Sequence, residues 1–312
     1  MTKKLQLAIS PHIHSPRSTQ GIMLDVIIAM LPATIAGVVL FGMSSLLLVA
    51  ACVIACVLSE AVFNVIVKKQ QTVSDLSAVV TGLLIALNLS VDCPVWQAVI
   101  GSVFAIIVVK CIFGGIGCNL VNPAITARVF MLISFGTMAK AAFPKGVDSV
   151  TGATPLAELV ESDLSLTPSL LDLFLGKNGG AIGETCALAL LLGLVYLLIR
   201  RVITWHIPVS FIASVYLFSL VYEGFDFVAA LAWVLSGGLL IGAIFMATDY
   251  VTSPTTSSGK LIFGIGCGIF TVLIRFFGTY PEGVSFAILF MNILTPYIDS
   301  WTPRKLFGGK SV

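Results

Sequence analysis

The chain is 312 residues long, with 58% hydrophobic residues, 10% charged residues and a mean hydropathy of +1.06. A soluble domain carries roughly 25% charge, so these charges cannot coat a water-facing surface, and the chain reads as a polytopic membrane protein. Its formal charge of +2 argues against nucleic-acid binding, and spans of about 20 residues each leave no room for a large soluble catalytic domain.

Residues 1–20 hold Lys3, Lys4 and Arg17 but no apolar core segment, so no cleaved signal peptide is expected. His12 and His14 lack further ligands nearby and read as part of a polar arm rather than a metal pair. Apolar runs between breakers then predict ten spans, at 22–42, 44–67, 74–90, 94–113, 120–138, 181–200, 206–222, 226–247, 260–278 and 283–300. With the amino terminus inside, twelve of the seventeen basic residues fall on the inner side, Lys69, Lys110, Arg200, Lys260 and Lys305 among them. Lys140, Lys145 and Lys177 fall outside. This asymmetry predicts an inner-membrane protein with both termini cytoplasmic and segment 139–180 on the outer face.

The stretch from Thr81, TGLLIALNLSVDCP, can be laid against the one from Gly237, GGLLIGAIFMATDYVTSP. Five spans is an odd number, so the two copies would be inverted repeats, an arrangement that places ligands near the midplane between discontinuous helices. The expected fold is thus all-α, with a cytoplasmic arm (1–20), a first five-helix repeat (21–138), an extracytoplasmic segment (139–180), a second repeat (181–300) and a cytoplasmic tail (301–312). GGIGCNLVNPA at 114–124 and TDYVTSPTTSSG at 248–259 read either as broken backbone at membrane depth or as loops entering the interface.

Charges within the predicted spans are costly. Asp25, Glu60 and Arg275 lie close enough to span ends to snorkel. Arg128 sits about 10 Å in, by the helical rise, and calls for an anion, either a cofactor or a partner carboxylate. The seven cysteines form no CxxC pair and read as small apolar side chains.

On the outer segment, TPLAELVESD and TPSLLDLFLG predict short amphipathic helices, with Thr154 and Thr167 as N-caps and Pro155 and Pro168 at the first helical position. The two threonines differ in what precedes them. Asp148-Ser149-Val150-Thr151-Gly152-Ala153-Thr154 resembles the flavinylation motif D-x-x-[ST]-G-A-[ST] of the B and D subunits of Na+-translocating NADH:quinone oxidoreductases and Rnf complexes. SPHIHSPRSTQGIMLDVIIAMLPA, GGIGCNLVNPAITARVFM and FMATDYVTSPT resemble the same family in the same order, so the likeness covers nearly the whole chain. The short stretch before SPH and the form VTGATPL lean toward the D subunits of Rnf complexes.

The resemblance implies FMN esterified through its phosphate to Thr154, with Asp148, Thr151, Gly152 and Ala153 as the motif read by a flavin transferase. It also implies a second, non-covalent flavin such as riboflavin nearer the cytoplasmic side, for which Asn119, Asn122, Arg128 and Asp249 are the candidate setting. The implied role is electron transfer within an ion-translocating ferredoxin:NAD+ oxidoreductase. Partners would be a flavinylated extracytoplasmic subunit, iron-sulfur membrane subunits and lipid. No GxGxxG follows a strand and no close cysteine set is present, so neither an NAD site nor an iron-sulfur cluster is expected within this chain. No metal ligand set and no catalytic residue is singled out. Glycine-rich spans and the single NPA at 122–124 also fit a small-solute channel of urea- or ammonium-channel type, which would have no use for a flavinylation motif.

Overall fold

In the computed structural model, described for residues 18–135, 142–144, 154–160, 169–278 and 282–303, the chain is helical throughout. Thirteen α-helices are present among these residues, with one isolated antiparallel bridge, Ala142 to Gly180. Helix α1 (Thr19–Phe41) starts where the Ser18 hydroxyl accepts the Gly21 amide at 3.1 Å and ends at Gly42, whose amide reaches the Val38 carbonyl. Helix α2 (Met43–Ile66) begins directly afterwards. Then come α3 (Ser77–Leu87), α4 (Val95–Phe104) running into a π-helical stretch Ala105–Cys111, and α5 (Pro123–Ser134). Two short helices follow, α6 (Pro155–Val160) and α7 (Leu170–Leu175). The second half holds α8 (Ala187–Ile199), α9 (His206–Tyr222), α10 (Phe227–Leu235), α11 (Leu239–Ile241) continuing as π-helix Gly242–Met246, α12 (Ser257–Phe277) and α13 (Val284–Trp301).

Each of the ten predicted spans contains a helix, but the helices differ in reach. α1, α2 and α12 are long and apolar enough to cross a membrane alone, and α10 with α11 makes a fourth if the pair, bent by 65°, counts as one span. The other apolar helices have 10 to 17 residues. Large apolar side chains such as Leu31, Ile35, Val39, Leu47 and Ile54 point outward on α1 and α2, as lipid contact requires.

Helix α2 packs on α3 and α4, and α9 packs on α10 and α12. The contact between α9 and α12 is made by small residues one turn apart. A Cβ on Gly264 would lie 1.9 Å from Ser210 Oγ, and one on Gly268 would lie 1.8 Å from Ser214 Oγ, so only glycine lets the two backbones come this close.

The helix breaks fall where polar groups gather. Helix α3 ends at Asn88 ahead of a loop running to Pro94, and α10 bends into α11 through Ser236, Gly237 and Gly238, with Gly237 at φ +67°. The sequence reading left 114–124 and 248–259 open, as broken backbone or as loops entering the interface. The first of these is mostly an exposed loop whose end, Asn122–Ala124, is buried, and the second is a partly buried loop.

Candidate functional site

Two polar sites lie at opposite ends of the stretch Gly238–Met246, called inner and outer after the orientation that the basic residues predict. The inner one is a cavity of ≈450 Å³ between α1, α3, α5, α8 and the loops 112–122 and 248–251. That volume is within the range of small-molecule and cofactor sites. Its walls are mainly apolar, from Ile22, Val26, Leu84 and Phe245, and its polar groups include Asn119, Asn122, Asp249, Ser77 and Lys110. The Asn119 Oδ1 is buried without a hydrogen-bond partner. Asp249 accepts the Val251 amide and the Thr252 hydroxyl at 3.4 Å each, while burial raises its carboxyl above the usual carboxylate range. Asn122 caps α5, its Oδ1 accepting the Ala124 amide at 2.9 Å, and its Nδ2 donates to the Met246 carbonyl at 3.2 Å.

Lys110 is a correction to the sequence reading, which counted it, at the end of span 94–113, with the basic residues of the inner side. It is 2% exposed, on the π-helical turn after α4, and its ammonium donates to Glu60 at 2.9 Å and to Ser77 at 2.6 Å. Glu60 therefore does not snorkel; it also accepts the Thr72 hydroxyl at 2.6 Å. Asp25 pairs with Arg200 at 3.2 Å near the surface.

The outer site is built around Arg128, which is 7% exposed on α5. Its guanidinium donates to Asn88 Oδ1 at 2.5 Å, to Glu184 Oε1 at 2.6 Å and to Glu282. The anion that Arg128 called for is thus a pair of carboxylates, and the structure separates it from Asn119, Asn122 and Asp249, with which the sequence reading had grouped it. Gly238 makes room for the pair, since a Cβ there would lie 2.6 Å from Glu184 Oε1 and 2.9 Å from Arg128 Nη1. Arg275 also does not snorkel. It is 1% exposed and donates to the carbonyls of Trp233 at 2.7 Å and Ser236 at 3.2 Å, holding the bend between α10 and α11.

Thr154 stands beside this cluster. Its Oγ1 accepts the Ala157 amide at 3.2 Å, which makes it the N-cap of α6 with Pro155 first in the helix, as predicted. Leu156 and Leu159 are buried, and Leu156 packs beside Gly237, so α6 is pinned to the helix bend. Thr154 lines a small cavity with Asn178, Glu184, Thr185 and Glu282. The motif residues Asp148, Thr151, Gly152 and Ala153 lie outside the described residues, as does Thr167. Helix α7 begins at Leu170 and is capped by Ser169, whose hydroxyl accepts the Asp172 amide at 3.3 Å, rather than by Thr167 as the sequence predicted. All seven cysteines are free thiols.

A bundle of apolar helices with outward-facing apolar side chains and two buried polar sites is that of a multi-pass membrane protein. The chain belongs to the NQR2, RnfD, RnfE family, whose model matches residues 6–308. It is 48% identical to the D subunit of the Na+-translocating ferredoxin:NAD+ oxidoreductase complex of Acetobacterium woodii, covering 97% of this chain and 95% of that one. It is 38% identical to the D subunit of the proton-translocating ferredoxin:NAD+ oxidoreductase complex of Clostridium ljungdahlii, covering 97% and 96%. It is likewise 38% identical to the D subunit of the ion-translocating oxidoreductase complex of Stutzerimonas stutzeri, covering 93% and 92%.

Proposed function

We propose that this chain is the electron-relaying membrane subunit of an Rnf-type ion-translocating ferredoxin:NAD+ oxidoreductase, carrying FMN on Thr154 and a second, non-covalent flavin in the inner cavity. The observation that carries the reading is the position of Thr154. It follows D-x-x-T-G-A, heads a helix pinned to the bundle, and is only partly buried. A transferase needs an accessible hydroxyl on a chain it can close over. The N-terminal turn of α6 also offers partial positive charge to a retained phosphate, and the pinned Leu156 fixes the base of the tether.

The inner cavity suits the second flavin in size and polarity. Apolar walls would take the ring system. Asn119, with its unpaired oxygen, and Asp249 would bind its polar edge or its hydroxylated side chain. The buried ion pair of Lys110 and Glu60 makes that wall polar without net charge. When bound, flavins supply electron transfer in one- and two-electron steps. The chain's own residues position them and keep water and solutes from the space between.

We read the two halves as inverted five-helix repeats. Helix α11 runs from Gly238, beside Arg128, to Met246, beside Asn122, and so is antiparallel to the Asn122–Arg128 stretch of α5. The basic asymmetry puts Thr154 on the outer face and the inner cavity on the cytoplasmic side. A flavinylated outer subunit and iron-sulfur membrane subunits would be the redox neighbours. The test is ultraviolet fluorescence of the denatured band, from chain produced together with a flavin transferase. A covalent flavin survives denaturing electrophoresis and glows, whereas a solute channel of the same fold stays dark and would contradict the reading.

A further inference from the structure

The inner cavity has a cation in its wall. Lys110 lies on the π-helical stretch Ala105–Cys111, a local widening of the helix found often at functional positions. Desolvating a buried ion pair costs about what the attraction returns, so two apolar side chains would serve stability as well as Lys110 and Glu60 do. The hydrogen bonds show what the pair leaves over. Glu60 uses both oxygens, Oε1 for the Thr72 hydroxyl at 2.6 Å and Oε2 for Lys110 at 2.9 Å. Ser77 Oγ accepts from Lys110 at 2.6 Å and gives its own proton to Asp75 at 2.5 Å. An ammonium has three protons to donate, and Glu60 and Ser77 take two of them. Lys110 and Ser77 line the cavity, whereas Glu60 sits behind them, outside its lining. The pair thus shows the cavity its positive end, with one donor unspent. Asn119 and Asp249 bring acceptor oxygens to the same space from the loops.

We propose that Lys110 is a direct ligand of the non-covalent flavin, donating to the carbonyl edge of its pyrimidine ring and favouring its reduced form over its oxidised form. The inference rests on the flavin reading of this cavity. A flavin that has taken up two electrons and one proton carries one negative charge, spread over N1 and the C2 carbonyl. An ammonium against that edge gains attraction on reduction, and Asn119 and Asp249 have no positive charge with which to do the same. Glu60, one ion-pair length further back, holds Lys110 in place and tempers its effect.

The test is a redox titration, followed by flavin absorbance, of the full-length chain purified in detergent. A Thr154→Ala background leaves only the non-covalent flavin to report. Lys110→Met alone would strand the Glu60 carboxylate in the interior, so the variant is Glu60→Gln together with Lys110→Met. Its reduction equilibrium should move at least tenfold toward the oxidised form, a potential about 30 mV lower for a two-electron couple. The sign assigns the effect to Lys110, since loss of the carboxylate by itself moves the equilibrium the other way. Should the double variant not fold, Glu60→Gln reads that opposite shift: it keeps the ammonium, removes the counter-charge, and should move the equilibrium toward the reduced form. A parent that releases no flavin on denaturation would remove the reading of the cavity, and the role of Lys110 with it. A parent that releases flavin, beside a double variant whose equilibrium is unchanged or shifted toward the reduced form, would leave that reading standing and overturn the role of Lys110.

Discussion

Arg128 and Glu184, 56 positions apart, meet at 2.6 Å in the interior and join the two halves of the chain. Glu282 and Asn88 complete the contact. From there a polar ladder leads inward: Asn88 Nδ2 lies 3.7 Å from Met246 Sδ, and the Met246 carbonyl accepts Asn122 Nδ2 at the edge of the inner cavity. One side chain thus ties α5, the end of α3, the approach to α8 and the approach to α13 together.

The first prediction follows from that tie. Arg128→Met leaves the buried Glu184 carboxylate unpaired beside the partly exposed one of Glu282, so the chain should lose about 3–5 kcal/mol of stability. Adding Glu184→Gln should recover part of the loss, because one of the two charges goes. The check is thermal unfolding of the parent, the single variant and the double variant in one detergent. Unchanged stability in Arg128→Met would mean that the cluster is not formed.

The sequence made some of this legible. Arg128 was deep enough in an apolar run to demand an anion, and both Thr154 as an N-cap and the apolar core of every span were readable from local pattern. Its partners were not. Glu184 falls at the very start of the sixth predicted span, where a charge looks like an interfacial one, and Glu282 sits in a Tyr-Pro-Glu-Gly turn that reads as an exposed connection. Lys110 looked like the end of a span for the same reason. Burial of these groups depends on which distant helix end folds over them, a tertiary fact with no local periodicity. The glycine at 238 was the available clue, since its missing side chain is what admits the pair.

A second prediction concerns the α9–α12 contact. Gly268→Ala places a methyl 1.8 Å from Ser214 Oγ and should push the two helices apart, costing about 1–3 kcal/mol as overpacking does. Ser214→Gly should rescue most of that loss when combined with it, since the Ser214 side-chain atoms at 1.8 and 2.8 Å are then gone and the next atom is the Phe211 carbonyl at 3.2 Å. A double-mutant cycle of unfolding free energies measures the coupling. Strict additivity of the two changes would contradict the contact.

Orientation is tested by labelling. In a background with the exposed Cys118 replaced by serine, Lys177→Cys should react with an impermeant maleimide on intact cells. Lys69→Cys should react only after permeabilisation. The reverse pattern would invert the topology and remove Thr154 from the outer face.

For the inner cavity, Thr81→Phe should fill the space without touching Thr154. Flavin released on denaturation should fall at least tenfold while the covalent flavin stays unchanged. Undiminished release from Thr81→Phe would put the non-covalent flavin in another place.

The central claim is that Thr154 bears the covalent flavin, and the intact mass of three chains made with a flavin transferase tests it most directly. The parent and Thr167→Ala should each weigh one esterified FMN more than the bare polypeptide. Thr154→Ala should match the bare mass while remaining folded, because losing an N-cap costs only about 1 kcal/mol. An FMN-sized increment on Thr154→Ala, or its absence from Thr167→Ala, would contradict the assignment.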